Sequence, residues 1–147
     1  MGQKEMANLK SGWETFDHIA DIGIRGIGTT LEEAFENGAR ALFSLMVEDL
    51  SLVRPVHKKE VNCSSYDLTG LFVAWINSLI ALADIEQMLF SSFSVTIDDH
   101  TLSGLAQGER WTRAIHQLGI EVKGATFTEA KVEFQDGVWI AQCVVDV

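Results

Sequence analysis

A chain of 147 residues is long enough to bury a core of its own and short enough to form one domain. Its hydrophobic content of 47% and charged content of 22% are those of an ordinary globule, while 21 acidic against 11 basic residues give a net charge of −10. That charge excludes a protein that grips nucleic acid through its own surface, because phosphate affinity rests on Lys and Arg; RNA or DNA chemistry would have to run through a basic partner or a bound cation.

Residues 1–10 are polar and carry no apolar core, so they do not read as a secretory signal. The expected organisation is a flexible tail over residues 1–12 followed by a single domain over 13–147. Residues 13–16 form a short strand, residues 17–21 interrupt it, and residues 22–28 resume with strict alternation. Ile22, Ile24 and Gly26 then share one face, and Gly23, Arg25 and Ile27 the other. Thr30-Leu31-Glu32-Glu33 is a capping box that starts a helix. Leu31, Ala34, Phe35, Gly38, Ala39, Leu42, Phe43 and Met46 repeat at helical spacing, so the helix lies on a sheet and ends near Met46.

Residues 56–65 alternate as a strand. Asp67 caps a second helix that runs to about Leu89 and is apolar on most faces, as the buried centre of a domain is. Its residues 68–82 come nearest to a membrane span in this chain but fall short of one. Residues 93–97 and 102–106 flank a turn at Asp98-Asp99-His100-Thr101. Residues 109–119 are irregular with one helical turn. Residues 122–126 and 130–135 alternate, Asp136-Gly137 is a strong hairpin signal, and residues 138–147 form the last strand. Two helices and several strands in this order give an α+β domain, with one mixed β-sheet and two main helices packed on it. Cys63 and Cys143 fall in strand-like runs and read as reduced thiols of a cytoplasmic protein.

Asp17, His18 and Asp21 concentrate two carboxylates and an imidazole between strand ends. As a turn, the stretch needs nothing more than local hydrogen bonds. As a site, its oxygens suit a hard cation, Ca²⁺, Mg²⁺ or Mn²⁺, and it needs more ligands than it holds. Asp146 and the Val147 carboxylate at the far end would supply two. Zinc fits less well, since no cysteine or second histidine has suitable local spacing. Residues 116–123 read as a surface loop entering a strand, where His116 could titrate and Lys123 could reach an anion. His57 and His100 stand in connections and read as solvated. Glu32, Glu33 and Glu36 read as a solvated helix face or as a dock for a basic partner. No Ser/His/Asp or Cys/His arrangement supports a nucleophile.

Together these stretches resemble a known family. Phe16-Asp17-His18-Ile19-Ala20-Asp21-Ile22-Gly23-Ile24 is similar to the DHTAD-I/V signature that opens the archease family, and Thr30-Leu31-Glu32-Glu33-Ala34-Phe35-Glu36 to the T-LEEAFE helix start after it. Residues 67–79 resemble the long buried helix of the family, residues 119–127 its T-EVKA-TY segment, and residues 137–147 its terminal strand with an Asp-Ile/Val ending. The motifs keep their order from residue 13 to residue 147. Ile19 stands where threonine is usual, Gly124 where alanine is, and Phe127-Thr128 where a tyrosine leads.

The resemblance implies an archease-like fold and no catalytic activity of its own. It implies an accessory protein for an RtcB-type RNA ligase of tRNA splicing and RNA repair, promoting guanylylation and multiple turnover of that ligase in the cytoplasm. It also implies a divalent metal with oxygen ligands (Ca²⁺, or Mg²⁺ or Mn²⁺) on Asp21, Asp146 and Val147, a functional Lys123, and Asp17 and His18 as supports. Neither stable nucleic-acid binding nor a membrane enters this picture. Two other readings remain from the residues. One is a metal-dependent phosphoester hydrolase built on Asp17, Asp21 and Asp146. The other is a chaperone-like binding module for RNA-processing enzymes that uses Glu32, Glu33 and Glu36.

Overall fold

The computed structural model describes residues 10–147. The expected tail at residues 1–12 therefore lies mostly outside the described residues; within it, Ser11 donates to Glu33 Oε1 and Gly12 opens the first strand. The strands are β1 (Gly12–His18), β2 (Asp21–Gly28), β3 (His57–Ser64), β4 (Met88–Asp98), β5 (Thr101–Arg110), β6 (Gly124–Ala125), β7 (Lys131–Gln135) and β8 (Val138–Asp146). The helices are α1 (Leu31–Met46) and α2 (Leu68–Glu86), with a single 3-10 turn at Leu50–Leu52.

The α+β class and the two main helices packed on sheet stand. The sheet itself differs from the one expected. The strands divide into a five-stranded sheet, in which β8 lies beside β2, β6 and β7 and β2 lies beside β1, and a three-stranded sheet ordered β3-β5-β4. Every pairing in both is antiparallel rather than mixed. Three tight hairpins, β1–β2, β4–β5 and β7–β8, make half of these pairings. A two-residue turn can join only antiparallel neighbours, and β3 after α1 pairs with β5 instead of returning beside β2.

Residues 17–21 are not an interruption. β1 runs to His18, and Ile19 and Ala20 alone make the turn, with Ile19 at φ 51° and fully exposed. Asp136 and Gly137 at φ 52° and 82° give the β7–β8 turn the two positive φ values that a two-residue hairpin of matching twist requires. The second helix is shorter than its apolar run. Gln87 takes a left-handed conformation at φ 54° and its N–H caps the Ala83 carbonyl, so Met88 and Leu89 already belong to β4.

Helix α1 starts as its sequence predicts. The Thr30 hydroxyl accepts the Glu33 N–H at 3.1 Å, and Glu33 Oε1 accepts the Thr29 N–H at 2.7 Å. The helix lies directly on β2. A Cβ added at Gly26 would stand 2.0 Å from the Ala34 carbonyl oxygen, and one at Gly28 would stand 2.6 Å from the Ala34 nitrogen. α1 also packs against β4, so it spans both sheets. Trp75 of α2 closes the core: its side chain is fully buried, its indole N–H donates to the Phe35 carbonyl at 3.0 Å, and its ring meets Phe93 edge-on. By length and a mean hydropathy of 1.7, α2 could cross a membrane, but Leu71, Phe72, Trp75, Ile76 and Leu79 are fully buried against the other elements.

Gly26→Ala drives a methyl into helix backbone that has no rotamer with which to yield. It should cost about 3 kcal/mol, read as a shift of the denaturant midpoint at unchanged slope.

Candidate functional site

Four strands finish at one edge of the five-stranded sheet. Ile22 pairs with Val145, His18 with Asp21, and Gly124 with Asp146. One step past the Ile22–Val145 pair, Asp21 and Asp146 stand across from each other, with His18 on the same face of the sheet. Asp17 pairs with Ile22 and so belongs to the opposite face. The Val147 N–H donates to Asp21 Oδ1 at 3.4 Å, a long bond that lays residue 147 beside that carboxylate. The Lys123 N–H donates to the Asp146 carbonyl at 2.8 Å, which brings Lys123 to the same strand ends. Asp21 is half-buried, and Asp146, Asp17 and Lys123 are exposed.

The fold thus joins Asp21, Asp146, Val147 and Lys123, residues from the two ends of the domain and a loop between them. It places His18 with them and turns Asp17 away. Like charges directly opposite on neighbouring strands repel. Asp21 and Asp146 have no arginine or lysine ion-pair partner among the described residues, and the one hydrogen bond that Asp21 accepts is long. A cation here would need the two side-chain carboxylates together with main-chain oxygens, an all-oxygen set of the kind hard divalent cations take. No group of three His, Cys, Asp or Glu side chains among the described residues is placed to hold a metal, so any shell here must draw on the main chain as well.

Lys123 owes its position to α2. Asn77 on that helix donates from Nδ2 to the Ala125 carbonyl at 3.2 Å and accepts the Ala125 N–H at 2.9 Å. This reciprocal pair pins the two-residue strand β6, far shorter than the strand expected over 122–126. Asn77, with Ser78, interrupts the apolar run of the helix between Ile76 and Leu79, which is the signal for it in the sequence.

Three expectations are overturned. His116 is not on a solvated loop. It is buried, with Nε2 2.9 Å from Glu109 Oε2 and Nδ1 accepting the Thr112 N–H at 3.1 Å, which makes Nε2 the protonated nitrogen of a neutral ring. Glu109 lies in β5, not in an irregular stretch. It also accepts the Arg54 N–H at 2.9 Å and the Arg54 guanidinium at 2.9–3.0 Å. Partners 55 residues apart leave no local signal. The acidic face of α1 is not simply solvated either. Glu36 Oε2 accepts the Val95 N–H at 3.0 Å, closing the open edge of β4, and burial pushes its pKa up. The Ser11 hydroxyl and the Thr29 N–H hold Glu33 down. Both cysteines are free; burial pushes the Cys143 thiol up to about 12.

The model of the archease protein family (MTH1598/TM1083) matches residues 13–147. The chain belongs to the archease family. The protein archease of Sulfurisphaera tokodaii is 44% identical over 137 residues, covering 92% of this chain and 98% of that one. The protein archease of Pyrococcus furiosus is 41% identical over 143 residues, with the same coverage of both chains. The solution structure of Methanobacterium thermoautotrophicum protein 1598 superposes with a TM-score of 0.81 at 38% identity, over 92% of this chain and 99% of that one. A Thermotoga maritima archease, described as a possible chaperone, shares the fold at a TM-score of 0.59 and 18% identity, over 90% of this chain and 94% of that one.

The Glu109 strut should be visible in the acid limb of stability. The Arg54 N–H first, then the Arg54 guanidinium and the His116 ring, hold the Glu109 carboxyl down to about 2 against the upward push of burial. A carboxyl lowered on folding stabilises the protein above its ordinary value of 4.5, and that contribution fades as pH falls from 4.5 to about 2. Glu109→Gln should be less stable than wild type at pH 7, with the gap narrowing through this window in urea titrations at fixed pH.

Proposed function

We propose that this archease is an accessory protein of an RtcB-type RNA ligase, promotes guanylylation and multiple turnover of that ligase, and performs no ligation itself. The observation that carries the proposal is the meeting of Asp21, Asp146, Val147 and Lys123 at one sheet edge in a member of this family. A surface of net charge −10 suits a basic, RNA-binding partner and is a poor support for binding RNA alone. The proposed compartment is the cytoplasm, where free thiols are kept reduced.

Asp21 and Asp146, with the main-chain oxygens of Val147, would hold a divalent cation, with Ca²⁺ first and Mg²⁺ or Mn²⁺ as alternatives. Such an ion would cancel the repulsion between the carboxylates and offer positive charge to nucleotide phosphate oxygens. Lys123, exposed beside the pair, would neutralise phosphate charge as the nucleotide is transferred to the nucleophile of the ligase itself. His18 shares the face of Asp21 and supports the cluster. Asp17, on the other face, contributes to the turn rather than to the ligand set.

A phosphoester hydrolase gains no support, since no nucleophile with a positioned base accompanies the carboxylates among the described residues. The chaperone-like reading agrees with the Thermotoga maritima archease described as a possible chaperone, but of its acidic face Glu33 and Glu36 already serve the fold, which leaves Glu32.

The test is guanylylation of the cognate ligase by GTP at matched protein concentrations. Asp21→Ala, Asp146→Ala and Lys123→Ala should each lower the stimulation at least tenfold, and Asp17→Ala should change it by less than threefold. Calorimetric titration with Ca²⁺ should give binding in wild type that Asp21→Ala abolishes. Full stimulation by all three site variants would sink the proposal.

A further inference from the structure

A second surface lies on the segment between β5 and β6, where two hollows open on either side of a ridge. One, of about 710 Å³, runs between the C-terminal half of α2 and residues 118–123, and includes Ile80, Ile120 and Lys123. The other, of about 650 Å³, lies between residues 111–118 and the 3-10 turn, with Leu52 and Ile115 in its wall. Trp111 and Leu118 line both hollows and so form the ridge. Leu52, Ile115, Leu118 and Ile120 are each 41–47% exposed, a concentration of large apolar side chains that single surface positions do not explain.

The ridge is a fixed frame rather than a loose loop. The Gly119 and Ile120 N–H groups donate to the Met46 and Leu45 carbonyls at 2.9 and 2.7 Å, and the Glu48 N–H donates to Gln117 at 2.8 Å. The segment is tied further by buried His116, which bonds buried Glu109, a carboxylate that the exposed Arg54 also holds. Its apolar side chains are therefore presented in one arrangement, which lowers the ordering cost of binding.

Charge selects the occupant. Glu48, Asp49, Asp84 and Glu121 border the hollows against Arg113 and Lys123. A second copy of this chain would set acid against acid at a net charge of −10 each. The complementary surface is an apolar one edged by Lys and Arg. Continuity adds to this, since Lys123 belongs both to the larger hollow and to the strand-end cluster.

We infer that the double hollow around Trp111 and Leu118 is the surface on which the ligase docks, taking apolar side chains bordered by Lys and Arg. This rests on the proposed ligase partnership and divides the labour within it: the hollow supplies affinity, and the strand-end cluster supplies the effect on guanylylation.

The experiment titrates wild-type and variant archease against the full-length cognate ligase, reading direct binding and guanylylation together. Leu118→Asp and Ile120→Asp alter exposed side chains and leave the main-chain bonds of the ridge in place. Each should raise the dissociation constant at least tenfold, with wild-type stimulation recovered at saturation. Asp21→Ala should do the opposite, binding normally without stimulating. Glu121→Lys, on the exposed rim, should weaken binding at least threefold at low salt and reduce its salt dependence. Circular dichroism and thermal melting verify folding, and Glu121→Lys with Ile120→Ser decides the matter if an aspartate variant does not fold.

Folded variants that bind the ligase as wild type does would overturn the docking surface and leave the ligase reading standing. A wild-type protein that neither binds nor stimulates the ligase would overturn the ligase reading, and this inference with it. A wild-type dimer in sedimentation that Leu118→Asp dissociates would make a second copy the occupant and overturn the assignment.

Discussion

Helix α1 rests on bare backbone. Gly26 and Gly28 of β2 leave no side chain between strand and helix, and Gly38 on the helix leaves room for the Phe72 ring of α2. Three missing Cβ atoms thus set the distance from sheet to helix and from helix to helix. Because α1 also reaches β4, this contact fixes the spacing of the two sheets. Phe43 completes it, meeting Phe90 edge-on and stacking on Phe93 of β4. Close packing of this kind transmits displacement, because an interior at crystal-like density has no slack to absorb it.

The strand-end cluster depends on that frame. β2 is held by α1 on one face and by β8 along its edge, and β8 carries β6 along its other side. The three strand ends therefore arrive together without a loop long enough to wander. The result is an arrangement that a free chain would avoid, with two carboxylates abreast across neighbouring strands. Packing elsewhere in the domain keeps them there, at a local cost that the rest of the fold offsets. Pairing parity does the finer sorting. Asp17 and His18 are adjacent in sequence, yet only His18 faces the same way as Asp21.

Other acidic residues have a structural role. Glu33 completes the cap of α1, Glu36 blocks the free edge of β4, and Glu109 ties Arg54 to His116. An exposed strand edge invites pairing with another chain, and a carboxylate accepting its N–H is one way to close it. The net charge of −10 is therefore a mixture of fold-holding acids and free ones. Glu48, Asp84 and Glu121 border the hollows, and Asp21 and Asp146 stand at the strand ends.

Much was legible in the sequence because its signals are local. The capping box placed the start of α1, helical spacing of its apolar residues placed its end, and Asp136-Gly137 placed the last hairpin. Ordered motifs along the chain pointed to the family, and the fold brings Asp21, Asp146, Val147 and Lys123 of those motifs to the same strand ends. Local pattern misled where one residue changed the direction of the chain. Gln87 ended α2 inside an apolar run that read as helix, and the turn at Ile19 and Ala20 made a hairpin of what read as a gap. Strand partners distant in sequence, the division into two sheets, the burial of His116 and the face on which Asp17 lies were decided by tertiary structure alone. Each depends on which distant backbone supplies a hydrogen bond, and hydropathy periodicity records which side of an element is buried but not what buries it.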